Sequence, residues 1–372
     1  MLKSGVITIS FRRRILQTYK ILVINPGSTS TKISIFENEN AIIDWSISHD
    51  HNEIDQYDMI YDQFQYRLDT IREFIDSHDV DLKTLDAVVG RGGNMKPVEG
   101  GTYIVNEAML EDLKVGVMGQ HASNLGGILA NEIAKDLGIN SYVVDPVIVD
   151  ELEDYARISG FPEIKRKSKD HPLSQKAAAR KAASEMGGKY EDYNFITVHL
   201  GGGISAGMHK KGRIIDVNNC LDGDGPFSPE RTGGLPIGDL IEICYSGKYT
   251  KKELRKKLVG GGGLVAYLGT KDGQEIGKRI KNGDKYAETI YGAMAYQVAK
   301  EIGAAATVLC GDVDRIILTG GLAYDDLFVG WLKQRTSFIA DIIVYPGGFE
   351  MPALAQGVLR VLRNEEVAKI YA

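Results

Sequence analysis

The side chains best placed to do chemistry stand at the ends of apolar runs. Phe195 to Leu200 is rich in β-branched residues and enters Gly201-Gly202-Gly203, with His199 just before the triplet and Ser205 just after it. Three successive glycines let the backbone fold closely and turn N–H groups toward an anion. Arg91 follows the short run Ala87-Val88-Val89-Gly90, and Asp145 follows Ser141-Tyr142-Val143-Val144. Strand ends of this kind are where α/β sheets bind ligands. A guanidinium suits a carboxylate or phosphoryl group, and an aspartate suits a metal–phosphate site. Taken singly, each has a plainer reading as a surface ion pair or a turn residue. His121, in Gly119 to Gly126, and His171, before an alanine-rich stretch, read singly as helix-start residues. Arg231 lies in the stretch Asp216 to Asp239, which is rich in Asp, Gly and Pro. A loop that long tends to be functional. Its Asp222-Gly223-Asp224-Gly225 lacks the ligand pattern of a calcium loop.

The elements that position these groups are duplicated. Asn25-Pro26-Gly27-Ser28-Thr29-Ser30-Thr31-Lys32 is preceded by a strand-like run and followed by Ile33 to Phe36, a polar turn and Ala41 to Asp44. Ile42-Ile43-Asp44 matches Ile214-Ile215-Asp216 at an offset of 172, which sets Thr29 to Thr31 on Gly201 to Gly203 without a gap. A repeated strand–loop–strand–turn–strand predicts two related domains. A glycine loop between strands is neither a Walker loop nor a Rossmann loop, since both lead into a helix. Two such hairpins facing across a cleft are the plan of the actin, sugar-kinase and heat-shock ATPase superfamily. The predicted fold is therefore α/β: a duplicated, ribonuclease H-like pair of five-stranded-sheet domains with ATP between them. The boundaries read as an extension at 1–19, a first domain of 20–149 plus 353–372, and a second domain of 150–352. Helical spacing is seen over 56–77, 107–115, 119–137, 173–186, 240–259 and 286–309. The last helix, 352–363, is expected to return to the first domain.

Composition narrows the class. A length of 372 residues suits two or three domains. With 43% hydrophobic and 25% charged residues and a net charge of −6, the chain is ordinary for a globular enzyme and gives no support to nucleic-acid or membrane-surface binding. Cys220, Cys244 and Cys310 are scattered, without metal spacing, and fit a reducing, cytoplasmic setting. Residues 1–19 read as a start-site extension or tail. Their apolar part precedes Arg12-Arg13-Arg14, unlike a secretory signal.

From about Lys20 to Glu366 the chain resembles the acetate/butyrate kinase family, and it looks closest to the butyrate branch. The motifs are Asn25 to Lys32, Gly119-Gln120-His121-Ala122-Ser123-Asn124-Leu125-Gly126, Val144-Asp145-Pro146-Val147 and Asp222-Gly223-Asp224-Gly225-Pro226-Phe227. The resemblance implies reversible transfer of phosphoryl from ATP to a short-chain carboxylate, with Mg²⁺. It implies that Asn25 and Glu350 hold the metal, and that Lys32 and the backbone from His199 through Gly201, Gly202 and Gly203 contact phosphates. Gly320, Gly321, Leu322, Ala323 and Asp325 resemble the adenosine loop, with Asp272 a further nucleotide contact. Arg91 and Arg231 resemble the pair that binds the carboxylate and the transferring phosphoryl. His171 resembles the histidine that stabilises the transition state, Asp145 the nearby carboxylate, and His121 a further active-site histidine. A homodimer or larger assembly is the family expectation.

Three departures bear on specificity. Gly202 stands where the acetate branch usually has asparagine, Asp272-Gly273-Gln274 where relatives carry Asp-x-Arg, and Phe349-Glu350-Met351 where the acetate branch has Asn-Glu-Glu. The first favours butyrate over acetate. A branched-chain acid kinase is the near alternative. An actin-like nucleotide-binding protein without acyl transfer is the distant one, and it would have no need of a two-arginine carboxylate clamp.

Overall fold

The computed structural model describes residues 17–78 and 80–372. Most of the 1–19 extension lies outside the described residues. Twelve strands form two sheets. The first contains β1 (Lys20–Pro26), β2 (Ser30–Glu37), β3 (Asn40–Ser48), β4 (Ala87–Arg91), β5 (Thr102–Ile104), β6 (Asn140–Val144) and β12 (Lys369–Ile370), in the order β12-β5-β6-β4-β1-β2-β3. The second contains β7 (Asn194–Leu200), β8 (Ile204–Lys210), β9 (Arg213–Val217), β10 (Arg315–Gly320) and β11 (Ile342–Pro346), in the order β11-β10-β7-β8-β9. In each sheet an antiparallel three-strand meander is extended by two parallel strands, β4 and β6 in the first, β10 and β11 in the second. This is the duplicated α/β fold that the repeat predicts.

The first sheet departs from five strands. β5 and β12 extend its edge: β5 runs antiparallel to β6, and β12 parallel to β5. The gapless offset is also shifted. β1 ends at Pro26 and β2 begins at Ser30, while β7 ends at Leu200 and β8 begins at Ile204. Gly27-Ser28-Thr29, rather than Thr29 to Thr31, is thus the counterpart of the glycine triplet. β2 is one residue longer than β8, which brings the following turns nearer to the alignment the sequence suggests.

Each sheet is covered on both faces, so the strands read as unbroken apolar runs. Helices Phe64–Ser77 and Asn124–Leu137 pack on one face of the first sheet. Helices Lys285–Val308 and Asp326–Thr336 pack on one face of the second. Pro172–Glu185 and Glu350–Leu362 form the layer between the sheets. Along Pro172–Glu185, Leu173 and Ala177 join the first sheet's core, while Ala178, Ala179, Ala182 and Ala183 join the second's. Alanine at these positions lets the helix backbone come close to both. The stretch 240–259 is two helices, Ile237–Tyr245 and Lys251–Leu258, broken where Gly247 has φ +71°. Among the described residues no helix is long and apolar enough to cross a membrane.

A fully buried ion pair lies at the junction. Lys176 Nζ donates to Glu151 Oε2 at 2.8 Å, and Glu151 also accepts from the backbone N–H groups of Gly100 and Ile214. One carboxylate so ties the loop before β5, the central helix and β9.

Candidate active site

The site forms where strand ends from both sheets meet the start of the two central helices. Arg91 ends β4, and the helix Asn124–Leu137 lies directly behind it. A Cβ on Gly126 would stand 2.3 Å from the Arg91 carbonyl oxygen, so glycine is required for that approach. Arg91 Nη1 donates to Asn25 Oδ1 at 3.4 Å, joining β4 to the end of β1. Burial lowers its pKa while the Glu350 carboxylate opposes the shift, which sets Glu350 in the same neighbourhood. Glu350 opens its helix and accepts from Ser174 Oγ at 3.4 Å.

His171 precedes Pro172 at the start of the central helix. Its ring stacks on His199 with centroids 4.0 Å apart and planes 19° from parallel. Its Nδ1 lies 2.8 Å from Ser205 Oγ. Burial, then the charges nearby on His199, Arg231 and Arg91, hold its pKa well below the usual histidine range. His199 is brought down to about 4 by burial, with Glu350 opposing. Both imidazoles are therefore neutral at pH 7. His199 Nδ1 is buried and has no partner among the described residues.

Arg231 reaches the same place from the long loop. Its Nη1 donates to the Cys220 carbonyl at 2.7 Å, and a Cβ on Gly203 would fall 1.9 Å from that nitrogen. Gly202 O accepts from Ser228 Oγ at 2.6 Å. The Asp-Gly-Asp-Gly piece is structural: Asp222 pairs with Lys169 and Arg255, and Asp224 with Arg166.

The remaining predicted residues divide. Asp145 is buried with φ +37°, and both its oxygens are engaged, by the Gly101 N–H at 2.7 Å and Arg180 Nη1 at 2.9 Å. Burial alone would raise its pKa, but Arg180 and Lys176 hold it below the ordinary carboxylate value. His121 is an exposed residue, with its Nδ1 accepting from the Ser123 N–H at 3.2 Å. Packing around the ring and then the Arg91 charge lower its pKa. Lys32 is exposed on β2, directly across the hairpin from Asn25.

Two cavities meet these groups. A small one is walled by Arg91, Gly92, Asp145, Val147, His171, Pro172, Leu173, Ser174 and Glu350. A large open one, ≈ 1030 Å³, runs along Gly201, Gly202, Asp272, Gly273, Gly321, Leu322, Tyr324 and Asp325, among others. Ala323 is buried, and neither it nor Gly320, His199 or Gly203 lines that larger cavity. Gly320 has φ +94°, and its backbone presses on Leu200, where a Cβ would be 2.5 Å from the carbonyl oxygen. Asp272 and Asp325 both cap helices, and Asp325 Oδ2 also accepts from Tyr291 at 2.8 Å. Gln175, Ser174 and Arg180 were not singled out from the sequence. The signal for Gln175 was a polar residue inside an alanine-rich helix that both sheets bury.

Residues 163–331 match the model of the Acetokinase family. The structure is similar to that of Porphyromonas gingivalis acetate kinase, with TM-score 0.77 and 18% identity over 92% of this chain and 100% of that one. It is similar to a propionate kinase from Francisella tularensis subsp. tularensis SCHU S4, with TM-score 0.70 and 18% identity over 91% and 98%. A ROK family protein from Streptococcus pneumoniae TIGR4 matches with TM-score 0.50 and 15% identity over 93% and 99%. The stretch from before His171 to beyond Asp325 thus carries the Acetokinase family pattern, on the two-domain actin/sugar-kinase fold that acetate kinases and ROK kinases share.

Proposed function

We propose that the protein transfers the γ-phosphoryl of ATP to a short-chain carboxylate, butyrate in the first place, giving ADP and an acyl phosphate. One observation carries the reading: Arg91, His171, Arg231 and Glu350 converge at the junction of the two sheets. Val147, Pro172 and Leu173 are apolar groups on the wall of the small cavity, which at ≈ 20 Å³ must widen to admit an alkyl chain, and the large cavity is of nucleotide size.

A carboxylate is already an adequate nucleophile at pH 7, so no strong base is needed. Its oxygen forms the new bond to phosphorus as the bond to the bridging oxygen breaks, and that electron pair leaves on ADP. Arg91 is suited to hold the carboxylate, and Arg231 to neutralise charge on the equatorial phosphoryl oxygens. His171 is neutral and donates a hydrogen bond to that charge. Asp145, with both oxygens engaged, braces the cavity wall.

No group of three or more His, Cys, Asp or Glu side chains gathers among the described residues as a metal cage. Asn25 and Glu350 nevertheless fit Mg²⁺ arriving with the nucleotide. Glu350 has no salt bridge among the described residues, and Mg²⁺ is usually held by one or two protein oxygens with phosphate and water completing the shell. When bound, it supplies further charge neutralisation on the phosphates.

The test is hydroxylamine trapping of acyl phosphate with ATP, Mg²⁺ and a panel of C2 to C6 acids. Butyrate should give the highest kcat/KM and acetate a clearly lower one. Absence of trapped product with every acid overturns the reaction. Equal values for acetate and butyrate overturn the substrate.

A further inference from the structure

Behind His171 a row of buried polar groups crosses the second domain. The Tyr190 hydroxyl lies 2.7 Å from His209 Nδ1. His209 Nε2 lies 3.0 Å from Gln175 Oε1, Gln175 Nε2 lies 2.8 Å from Ser205 Oγ, and Ser205 Oγ lies 2.8 Å from His171 Nδ1. His209, Gln175 and Ser205 have no exposed surface, and Tyr190 has 3%. Room for the row is built in: a Cβ on Gly207 would stand 2.1 Å from Gln175 Oε1 and 3.0 Å from His209 Nε2. Taking the Acetokinase-type reading of His171 as its starting point, we propose that Tyr190, His209, Gln175 and Ser205 are positioning residues. Together they fix His171 as the neutral tautomer that accepts at Nδ1 and donates from Nε2–H.

The direction of the row follows from its ends. Each middle member has one donor and one acceptor in line, so one polarity propagates throughout. Tyr190 has a single O–H and no acceptor for it among the described residues except His209 Nδ1. At Gln175, the amide nitrogen also faces Asp170 Oδ2 at 3.4 Å. The reverse polarity would leave the Tyr190 proton unpaired, and it would turn the Gln175 carbonyl toward the Asp170 carboxyl, which opposes it whenever that group is ionised; burial raises the Asp170 pKa to about 7. In the favoured direction Tyr190 donates to His209, His209 to Gln175, Gln175 to Ser205, and Ser205 to His171. Burial holds both His209 and His171 neutral, which the row requires. His171 Nε2 has no hydrogen-bond partner among the described residues, and the residue lines the small cavity. A donor fixed in this way needs no reorientation when phosphoryl charge develops.

Two variants test it. In Gln175→Glu the introduced carboxyl and Asp170 share one proton; with it on Asp170, the introduced carboxylate accepts from His209 and also from Ser205 O–H. Ser205 oxygen then accepts from His171 Nδ1–H, and the tautomer inverts. In Ser205→Ala that donor is lost, only the weak Cys220 S–H at 3.9 Å still faces Nδ1, and the tautomer is no longer fixed. Two-bond ¹H–¹⁵N correlation spectra of the full chain report which His171 nitrogen carries the proton, with His171→Gln giving the assignment. The parent should show Nε2–H, Gln175→Glu should show Nδ1–H, and Ser205→Ala a mixture. For both variants kcat should fall, at most by the roughly 10²–10³-fold of losing one transition-state donor outright, with KM for ATP and acid nearly unchanged. An Nδ1–H or doubly protonated His171 in the parent overturns the proposal, as does an unchanged spectrum in Ser205→Ala. Spectra that change as stated while kcat does not move support the row and count against the transition-state role of His171.

Discussion

The two hairpins are copies in topology and opposites in chemistry. The first loop, Gly27-Ser28-Thr29, keeps side chains and is braced from behind by Arg67. That guanidinium is fully buried, has no carboxylate partner among the described residues, and donates to the carbonyls of Ser28 and Ser30, to Thr31 Oγ1 and to Gln63 Oε1. The second loop, Gly201-Gly202-Gly203, has no side chains and is braced from in front. Arg231 and Glu230 occupy the space that Cβ atoms at 203 and 202 would take, and Ser228 holds the Gly202 carbonyl. The residues across each hairpin differ in the same sense: Asn25 faces Lys32, where His199 faces Ser205. Duplication supplied two equal cradles. One has its cation behind the backbone, and the other has its cation in front of it.

The largest effect should come from removing that asymmetry at the second loop. Gly203→Ala places a methyl where Arg231 Nη1 lies, so the guanidinium must leave its position. A loss in kcat of about 10²–10³-fold is expected, as for removing one preorganised charge donor. Thr29 is the exposed counterpart, and Thr29→Ala should change kcat by no more than about threefold, as for surface substitutions. Steady-state kinetics of the pair decide the matter. Similar losses for both variants would show that the loops are equivalent and that Arg231 has no special place.

Next is the brace behind the first loop. Arg67→Met keeps an apolar stem but removes the donor to the Ser28 carbonyl and to the buried oxygens Thr31 Oγ1 and Gln63 Oε1, while Ser30 O keeps the Gly27 N–H. The cost is roughly 1–3 kcal/mol for each group left unsatisfied. The thermal midpoint should fall by roughly 5 °C or more. ATP KM should rise because Ser28 and Ser30 lose their support. Arg67→Lys should recover part of the midpoint but little of the geometry, since one ammonium cannot reach the same four acceptors. A midpoint for Arg67→Met equal to the parent's would remove Arg67 from the account of the first loop.

This asymmetry marks where the sequence is readable and where it is not. The glycine triplet, the strands around it and the copy at residues 20–44 are local patterns, so duplication and fold class could be read directly. Arg91 was legible because a strand end fixes where its side chain starts. Arg67 was not, because a charged residue in an amphipathic helix reads as solvated, and only the hairpin beside that helix buries it. Gln175 comes from the central helix and Ser205 and His209 from β8, and they meet only through the packing of that helix on the sheet, which periodicity does not report. Asp145 was found by its place after a strand, but its engagement with Arg180 depends on a helix more than thirty residues later. The edge strands β5 and β12 are three and two residues long, too short for alternation to register.

The smallest effect concerns the histidine behind the first loop. His49 Nε2 lies 2.7 Å from Thr31 Oγ1, and Thr31 also accepts from Arg67. Burial, then the Arg67 charge, lowers the His49 pKa from 6.5 to about 4. The unfolded chain therefore takes up a proton as pH falls below about 6.5, while the folded chain resists until about 4. The stabilisation is full above 6.5 and is lost as pH falls through that window, at up to about 1.4 kcal/mol per pH unit for one group. His49→Gln cannot titrate and still offers Thr31 a hydrogen-bonding group. Its stability should fall less steeply than the parent's between pH 7 and 5.5, by about 1 kcal/mol over that range. Buried histidines behind the second loop, His199 among them, titrate in the same direction, so the variant's slope should be smaller than the parent's without vanishing. Urea unfolding of both proteins at several pH values measures the difference. Parallel slopes would mean that His49 is already charged in the folded protein, and that Arg67 does not stand as the lone cation behind the first loop.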